Sequence, residues 1–221
     1  FSGSGTTLLE ARLRSIDSIG FDTNPIAALV SRVKVTILSK KDWDDFDKIT
    51  LEIKSKFKEK DYSESWIPEI PQIDHWFETK IIKDLGLIAG EIKKIKNIKV
   101  KQLFEIIFSS IIVVVSNQDS ETRFAAIKKN LHLDAVERNF FKRLIFNADS
   151  VKELSNDPKV INSKSDVFFA DSRELSKHIL KNSIDLVITS PPYLNSYEYY
   201  LYHKFRMYWL SFDSNIVLHD K

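Results

Sequence analysis

The chain of 221 residues has no cysteine, which excludes a structural disulfide, a thiolate nucleophile and Cys-ligated zinc. Its five histidines (His75, His132, His178, His203 and His219) are scattered without close pairing, so no metal site is expected. Glycine and proline are scarce, at five and six residues. No uninterrupted apolar run approaches the roughly 18 residues that span a bilayer, and there is no signal-peptide pattern. The reading is therefore a cytoplasmic protein without a membrane partner. The formal net charge is only +2, so any binding to nucleic acid must rest on local patches. Hydrophobic residues make up 43% of the chain, enough for a packed core.

Two of the five glycines lie in the first five residues, in Phe1-Ser2-Gly3-Ser4-Gly5-Thr6-Thr7. A helical stretch follows, and Ser18-Ile19-Gly20-Phe21-Asp22 reads as a short strand that ends in an acid. Glycines before a helix start let the backbone approach a ligand. Thr6 or Thr7 is the expected N-cap. An acid at the end of the next strand can accept the hydroxyls of a ribose. Leu8 stands where the third glycine of the dinucleotide fingerprint would be, which points away from a pyrophosphate ligand and toward another adenosine-containing one.

The other informative stretch is Thr189-Ser190-Pro191-Pro192-Tyr193, directly after the apolar run Ile184 to Ile188. That run is predicted to be a strand. Pro191 and Pro192 have fixed φ and no N–H, so the chain turns rigidly there. Ser190 and the carbonyl between the prolines can accept hydrogen bonds from an amine, and Tyr193 offers a ring face for stacking. Two acceptors gripping an aromatic amine pull its nitrogen toward a tetrahedral geometry and free its lone pair.

Together these motifs resemble the S-adenosylmethionine-dependent amino-methyltransferases of DNA. The resemblance covers about the first 35 and the last 60 residues. FSGSGTT is similar to their cofactor loop, which implies cofactor contacts from Phe1, Gly3, Gly5 and Thr6. Asp22 resembles their ribose-binding acid. Asp171, in VFFADSREL, resembles the acid that contacts the cofactor adenine. TSPPY resembles their catalytic loop, which implies catalytic roles for Ser190, Pro191, Pro192 and Tyr193. The SPPY form is more often associated with cytosine N4 and DPPY with adenine N6. The resemblance implies S-adenosyl-L-methionine as cofactor and DNA with a flipped target base as partner. A restriction endonuclease, or a complementary part of the same protein, is a further implied partner. An RNA amino-methyltransferase and a non-catalytic DNA-binding subunit of the same fold are the alternatives. The implied fold is a Rossmann-like α/β three-layer sandwich, incomplete here. Phe1 already lies inside the motif, so the chain reads as a segment of a larger protein.

Between the two motifs the pattern changes. Residues 39–147 read as charged amphipathic helices. Val100, Leu103, Phe104, Ile107, Phe108, Ile111 and Val115 fall on one helical face, and Glu121 to Lys129 is expected to continue helical. Residues 1–38 are thus assigned to the cofactor-binding part of a methyltransferase core, 39–147 to a helical insertion, and 148–221 to the catalytic part. A strand is expected at Val167 to Ala170, a helix at Ser172 to Leu180 and an aromatic-rich helix at Tyr197 to Leu210. In that last helix Tyr197 and Tyr200 are candidates to flank an unpaired base. Lys93, Lys94, Lys96, Lys99 and Lys101 form the densest basic cluster, a candidate for phosphate contact.

Overall fold

A computed structural model describes residues 2–120, 123–190 and 199–212. In chain order the elements are α1 (Thr6–Arg12), β1 (Ser18–Asp22), α2 (Pro25–Lys34), α3 (Lys40–Glu59), α4 (Ile73–Trp76), α5 (Thr79–Lys94), α6 (Ile98–Val115), β2 (Gln118–Ser120), β3 (Arg123–Ala126), α7 (Ala135–Ser155), α8 (Pro158–Ile161), β4 (Ser165–Phe169) and α9 (Tyr199–Trp209). A 3-10 turn, Ser172–Lys177, follows β4. The protein is mixed helix and sheet, with a parallel pair β1-β4 and an antiparallel pair β2-β3. It divides into two compact units. The first comprises residues 1–37 and 151–198, the second residues 38–150 and 199–221. No helix among the described residues is long and apolar enough to cross a membrane.

In the first unit β1 and β4 pair in register from Ser18 with Ser165 to Asp22 with Phe169. The two strands are about 147 positions apart in sequence, so local propensity cannot hold them together. Arg12 does much of that work. Its buried guanidinium donates to the carbonyls of Val35, Val160 and Ser163, the last two at 2.8 and 2.7 Å. One side chain of α1 thereby fastens the segment after α2 to the segment before β4. Asp17 adds a carboxylate contact to the Lys164 amide at 2.7 Å, and the Ser18 and Ser165 hydroxyls meet at 2.7 Å. Leu8, Ala28, Val35 and Val167 bury together, which places α1 and α2 on one face of the strand pair. The other face carries Phe21 stacked on Phe168 at 5.3 Å, with His178 against both rings. At the outer edge of β4 the Arg32 guanidinium caps the Val167 carbonyl at 2.9 Å, which removes one exposed pairing group.

The second unit is a helical core. Phe46, Ile53, Phe77, Ile81, Leu85, Ile88, Phe104, Phe108 and Phe140 are fully or almost fully buried. The β-branched run Ile111 to Val115 belongs to α6, as its longer periodicity predicts. Asn97 caps that helix by accepting from the Val100 amide, and Ser39 forms a capping box with Asp42 at the start of α3. The glycines of α5 have a reason that helix propensity misses. A Cβ at Gly90 would lie 2.1 Å from the Glu64 carbonyl, because the irregular segment before α4 crosses the helix there.

Three expectations fail. The described part of the stretch expected to be helical from Glu121 to Lys129 is not helical: Arg123–Ala126 pairs with β2, and Phe124 packs against Trp76 and Phe205 at 4.8 and 5.5 Å in a three-ring cluster. Aromatic packing and strand pairing outweigh the local helical pattern. Ser172 to Leu180 forms only the 3-10 turn, six residues long, started by Asp171 as N-cap. Ile184 to Ile188 is not a strand. It is unpaired and exposed, with Leu186, Val187 and Ile188 at 73%, 77% and 66% exposure. A strand needs a partner for its backbone groups, and neither described sheet provides one to this run.

Candidate functional site

The glycine loop, Asp22 and Asp171 converge at one end of the parallel pair. Carbonyls alternate in direction along a strand. That of Asp22 faces β4 and accepts from the Ala170 amide at 3.1 Å, while that of Phe21 faces away and accepts from the Ser2 amide at 2.7 Å. The loop is thus pinned along β1 on the side opposite β4. Both acids follow from this: Asp22 ends β1, and Asp171 stands two residues beyond Phe169, the end of β4. The carboxyl ends of parallel strands are where open α/β sheets place ligands.

The loop closes as a turn, with the Gly5 amide on the Ser2 carbonyl at 2.9 Å. Gly3 and Gly5 both take left-handed φ, 55° and 74°. Gly5 is itself the N-cap of α1 and no side chain caps the helix, so the threonine cap expected from the sequence is replaced by glycine. Thr6 is the first helical residue and is exposed, its hydroxyl 3.1 Å from that of Ser4. The free amides at that helix start and the glycine turn together offer donors to an anion or a polar ligand.

Asp22 is half-buried and bridges two backbone donors. One carboxylate oxygen accepts from the Gly3 amide at 2.8 Å and the other from the Asn24 amide at 2.9 Å. A carboxylate has about four acceptor sites, so one on each oxygen is left for a pair of hydroxyls. Asn24 in turn caps α2 through the amides of Ile26 and Ala27 at 2.9 and 3.3 Å. The acid, the loop and two helix starts are therefore one hydrogen-bonded assembly.

Asp171 caps the 3-10 turn through the Arg173 amide at 2.8 Å and pairs with the Arg173 guanidinium, Nε at 2.9 Å. These contacts hold its carboxyl down at about 2, so it is a carboxylate at neutral pH. Its first oxygen keeps an acceptor site for an amine.

Ser190 lies exposed at the end of the unpaired run after β4. Phe1, Pro191, Pro192, Tyr193 and Tyr197 lie outside the described residues, and so does the side chain of Tyr200. The described structure thus brings together the loop, Asp22 and Asp171. No group of His, Cys, Asp or Glu that could hold a metal occurs among the described residues.

Ser31 is a supporting residue that sequence reading missed. It is buried in α2 and its hydroxyl donates to the Gly3 carbonyl at 3.0 Å, with the Ser2 hydroxyl 3.3 Å away. The signal was present: Ala28, Ser31 and Val35 form one helical stripe, and a serine interrupts its apolar character.

Two curated proteins are similar to this chain. The chain is 28% identical over 222 residues to the Type II methyltransferase M.MvaI of Kocuria varians, covering 93% of this chain and 48% of that protein. It is 25% identical over 243 residues to the Type II methyltransferase M.BsoBI of Geobacillus stearothermophilus, covering 98% of this chain and 47% of the relative. The chain is similar to Type II methyltransferases. It spans about half the length of the curated relatives it matches. No family model matches it, and no solved structure matches it significantly.

Proposed function

We propose that this chain is part of a DNA methyltransferase that moves a methyl group from S-adenosylmethionine to an exocyclic base amine, with cytosine N4 favoured over adenine N6. The observation that carries the reading is the bond between loop and acid: the Gly3 amide on the Asp22 carboxylate, at a strand end beside Asp171. The similarity to two Type II methyltransferases along nearly the whole chain supports it. In this reading the first unit belongs to a Rossmann-like methyltransferase sheet.

The residues present fit a ribose-bearing cofactor. Asp22 retains one acceptor site per oxygen, suited to two adjacent hydroxyls, and a Cβ at Gly3 would meet nothing within 4 Å, so there is open space beside the loop. When bound, S-adenosylmethionine supplies a methyl group activated by a positively charged sulfur. Asp22 would hold the ribose, Asp171 the adenine amine, and the loop from Phe1 to Thr6 the remaining polar groups. Ser190 and the Pro191 carbonyl would accept from the target amine, and Tyr193 would stack on the flipped base. The amine nitrogen held by Ser190 and the Pro191 carbonyl would take the methyl group and give up one proton to solvent, and the carbon–sulfur electron pair would remain with the cofactor. No metal and no covalent bond to the protein enter that balance, and catalysis rests on positioning.

The test is methylation of assorted DNA and RNA by the protein at its full natural length, read by mass spectrometry of the nucleosides. N4-methylcytosine in DNA is the expected product, and N6-methyladenine would move the base assignment alone. Ser190→Ala and Tyr193→Ala should each slow transfer; for Tyr193→Ala, loss of stacking worth about 1–3 kcal/mol corresponds to roughly 5- to 160-fold. Normal rates in both variants, or methylated RNA with untouched DNA, would overturn the reading.

A further inference from the structure

The basic cluster of the sequence is divided by the tertiary structure. Lys94 is taken up by Glu64 and Glu91, and the charge of Lys99 acts on Asp42. Lys93, from α5, and Lys101, from α6, instead line one cavity of about 80 Å³ in the second unit, together with Glu105, Phe108, Trp209 and Ser211. That volume far exceeds the roughly 10–15 Å³ needed by one water. The Lys93 ammonium is fixed there, 3.7 Å from the centre of the Trp66 ring and donating to the Ser211 hydroxyl at 2.9 Å. Trp209 is 2% exposed, and its indole N–H has no acceptor among the described residues. Two lysines against one glutamate leave the cavity lining with a net positive charge. Burial first, and the charge of Lys101 second, push the Lys93 ammonium below the usual lysine range, with Glu105 opposing them. An anion between the lysines would relieve that repulsion.

We propose that this cavity seats one phosphate group of a nucleic-acid backbone, held by Lys93 and Lys101 beside Trp209. The nucleic-acid source rests on the function proposed above; the oxyanion chemistry rests on the cavity alone. In the protein at its full natural length, Trp209→Phe identifies the indole N–H signal of interest by NMR. Inorganic phosphate and a short DNA duplex should each shift that signal saturably. Lys101→Gln should abolish the shift with phosphate. It should also make the slope of log K for the duplex against log salt shallower by about 0.9, the loss of one phosphate contact. Lys101→Arg should keep the slope. Lys93→Gln predicts the same losses and serves if Lys101→Gln does not fold.

An unmoved Trp209 signal with a duplex that does bind, or an unchanged salt slope in Lys101→Gln, would overturn the seat while leaving the methyltransferase reading intact. A response to inorganic phosphate without one to the duplex would overturn the backbone assignment. Failure of the unaltered protein to bind any duplex would remove the function reading and this assignment together.

Discussion

Gly3 and Gly5 share a left-handed backbone but not a neighbourhood, and that contrast yields a sharp prediction. Gly5 (φ 74°) lies against α2: an added Cβ would fall 2.7 Å from the Ser31 Cα, 2.8 Å from its Oγ and 2.9 Å from its Cβ. Backbone and helix cannot move aside as a flexible side chain would. Gly3 (φ 55°) has nothing within 4 Å of such a Cβ. Forcing alanine into the left-handed region costs roughly 1–2 kcal/mol at either position. Overpacking against Ser31 adds about 1–3 kcal/mol at Gly5 alone. Gly5→Ala should therefore destabilise the first unit by roughly 2–5 kcal/mol, and Gly3→Ala by only about 1–2 kcal/mol. All four tryptophans (Trp43, Trp66, Trp76 and Trp209) lie in the second unit, so tryptophan fluorescence would not report the change. Hydrogen exchange of amides in β1 and α2, resolved by mass spectrometry, reads the first unit directly. Gly3→Ala also separates roles: with the fold kept, any loss of S-adenosylmethionine affinity measures the loop's contact with the ligand. Equal stability of the two variants, or greater loss in Gly3→Ala, would refute the close approach of the loop to α2.

Other perturbations test the same construction. Arg12→Met leaves the carbonyls of Val35, Val160 and Ser163 without their donor, and should cost at least about 3 kcal/mol by urea unfolding; a loss below about 1 kcal/mol would contradict the clamp. Asp22→Asn removes a charge-assisted acceptor and should weaken S-adenosylmethionine binding about ten-fold or more by calorimetry; unchanged affinity would sink the ribose assignment. His203 is held neutral by burial first and by the neighbouring Arg206 second, its proton affinity pushed down to about 4 from 6.5. The unfolded chain protonates it at the higher value. Stability is therefore full above about 6.5 and is lost as pH falls toward about 4, by at most about 3 kcal/mol. His203→Gln should flatten that slope in pH-dependent unfolding of the second unit, and an equal slope in both proteins would argue against a neutral, half-buried imidazole.

Much of the local structure was legible in the sequence because its causes are local. Asn24-Pro25 announces α2, since the Asn24 side chain caps the helix and Pro25 suits its first position. Helical spacing from Val100 to Val115 sets α6 against the β-branched pull of its last turns. The glycine pair and Asp22 were visible as a loop and a strand-end acid, because a tight turn and a strand end are specified within a few residues. What required the tertiary structure depends on partners distant in sequence. The pairing of β1 with β4 joins segments on either side of residues 38–150, and only then do Asp22 and Asp171 reach the same end of one strand pair. The Arg12 clamp and the Ser31 support have the same origin: an arginine or a serine looks alike in sequence whether it faces water or a set of carbonyls. Ile184 to Ile188 shows the converse. Its apolar content would suit a strand, but strand structure needs a paired neighbour, which no composition supplies. The basic cluster was readable as charge. Which lysines neutralise carboxylates and which face the cavity was decided by how α5 and α6 pack.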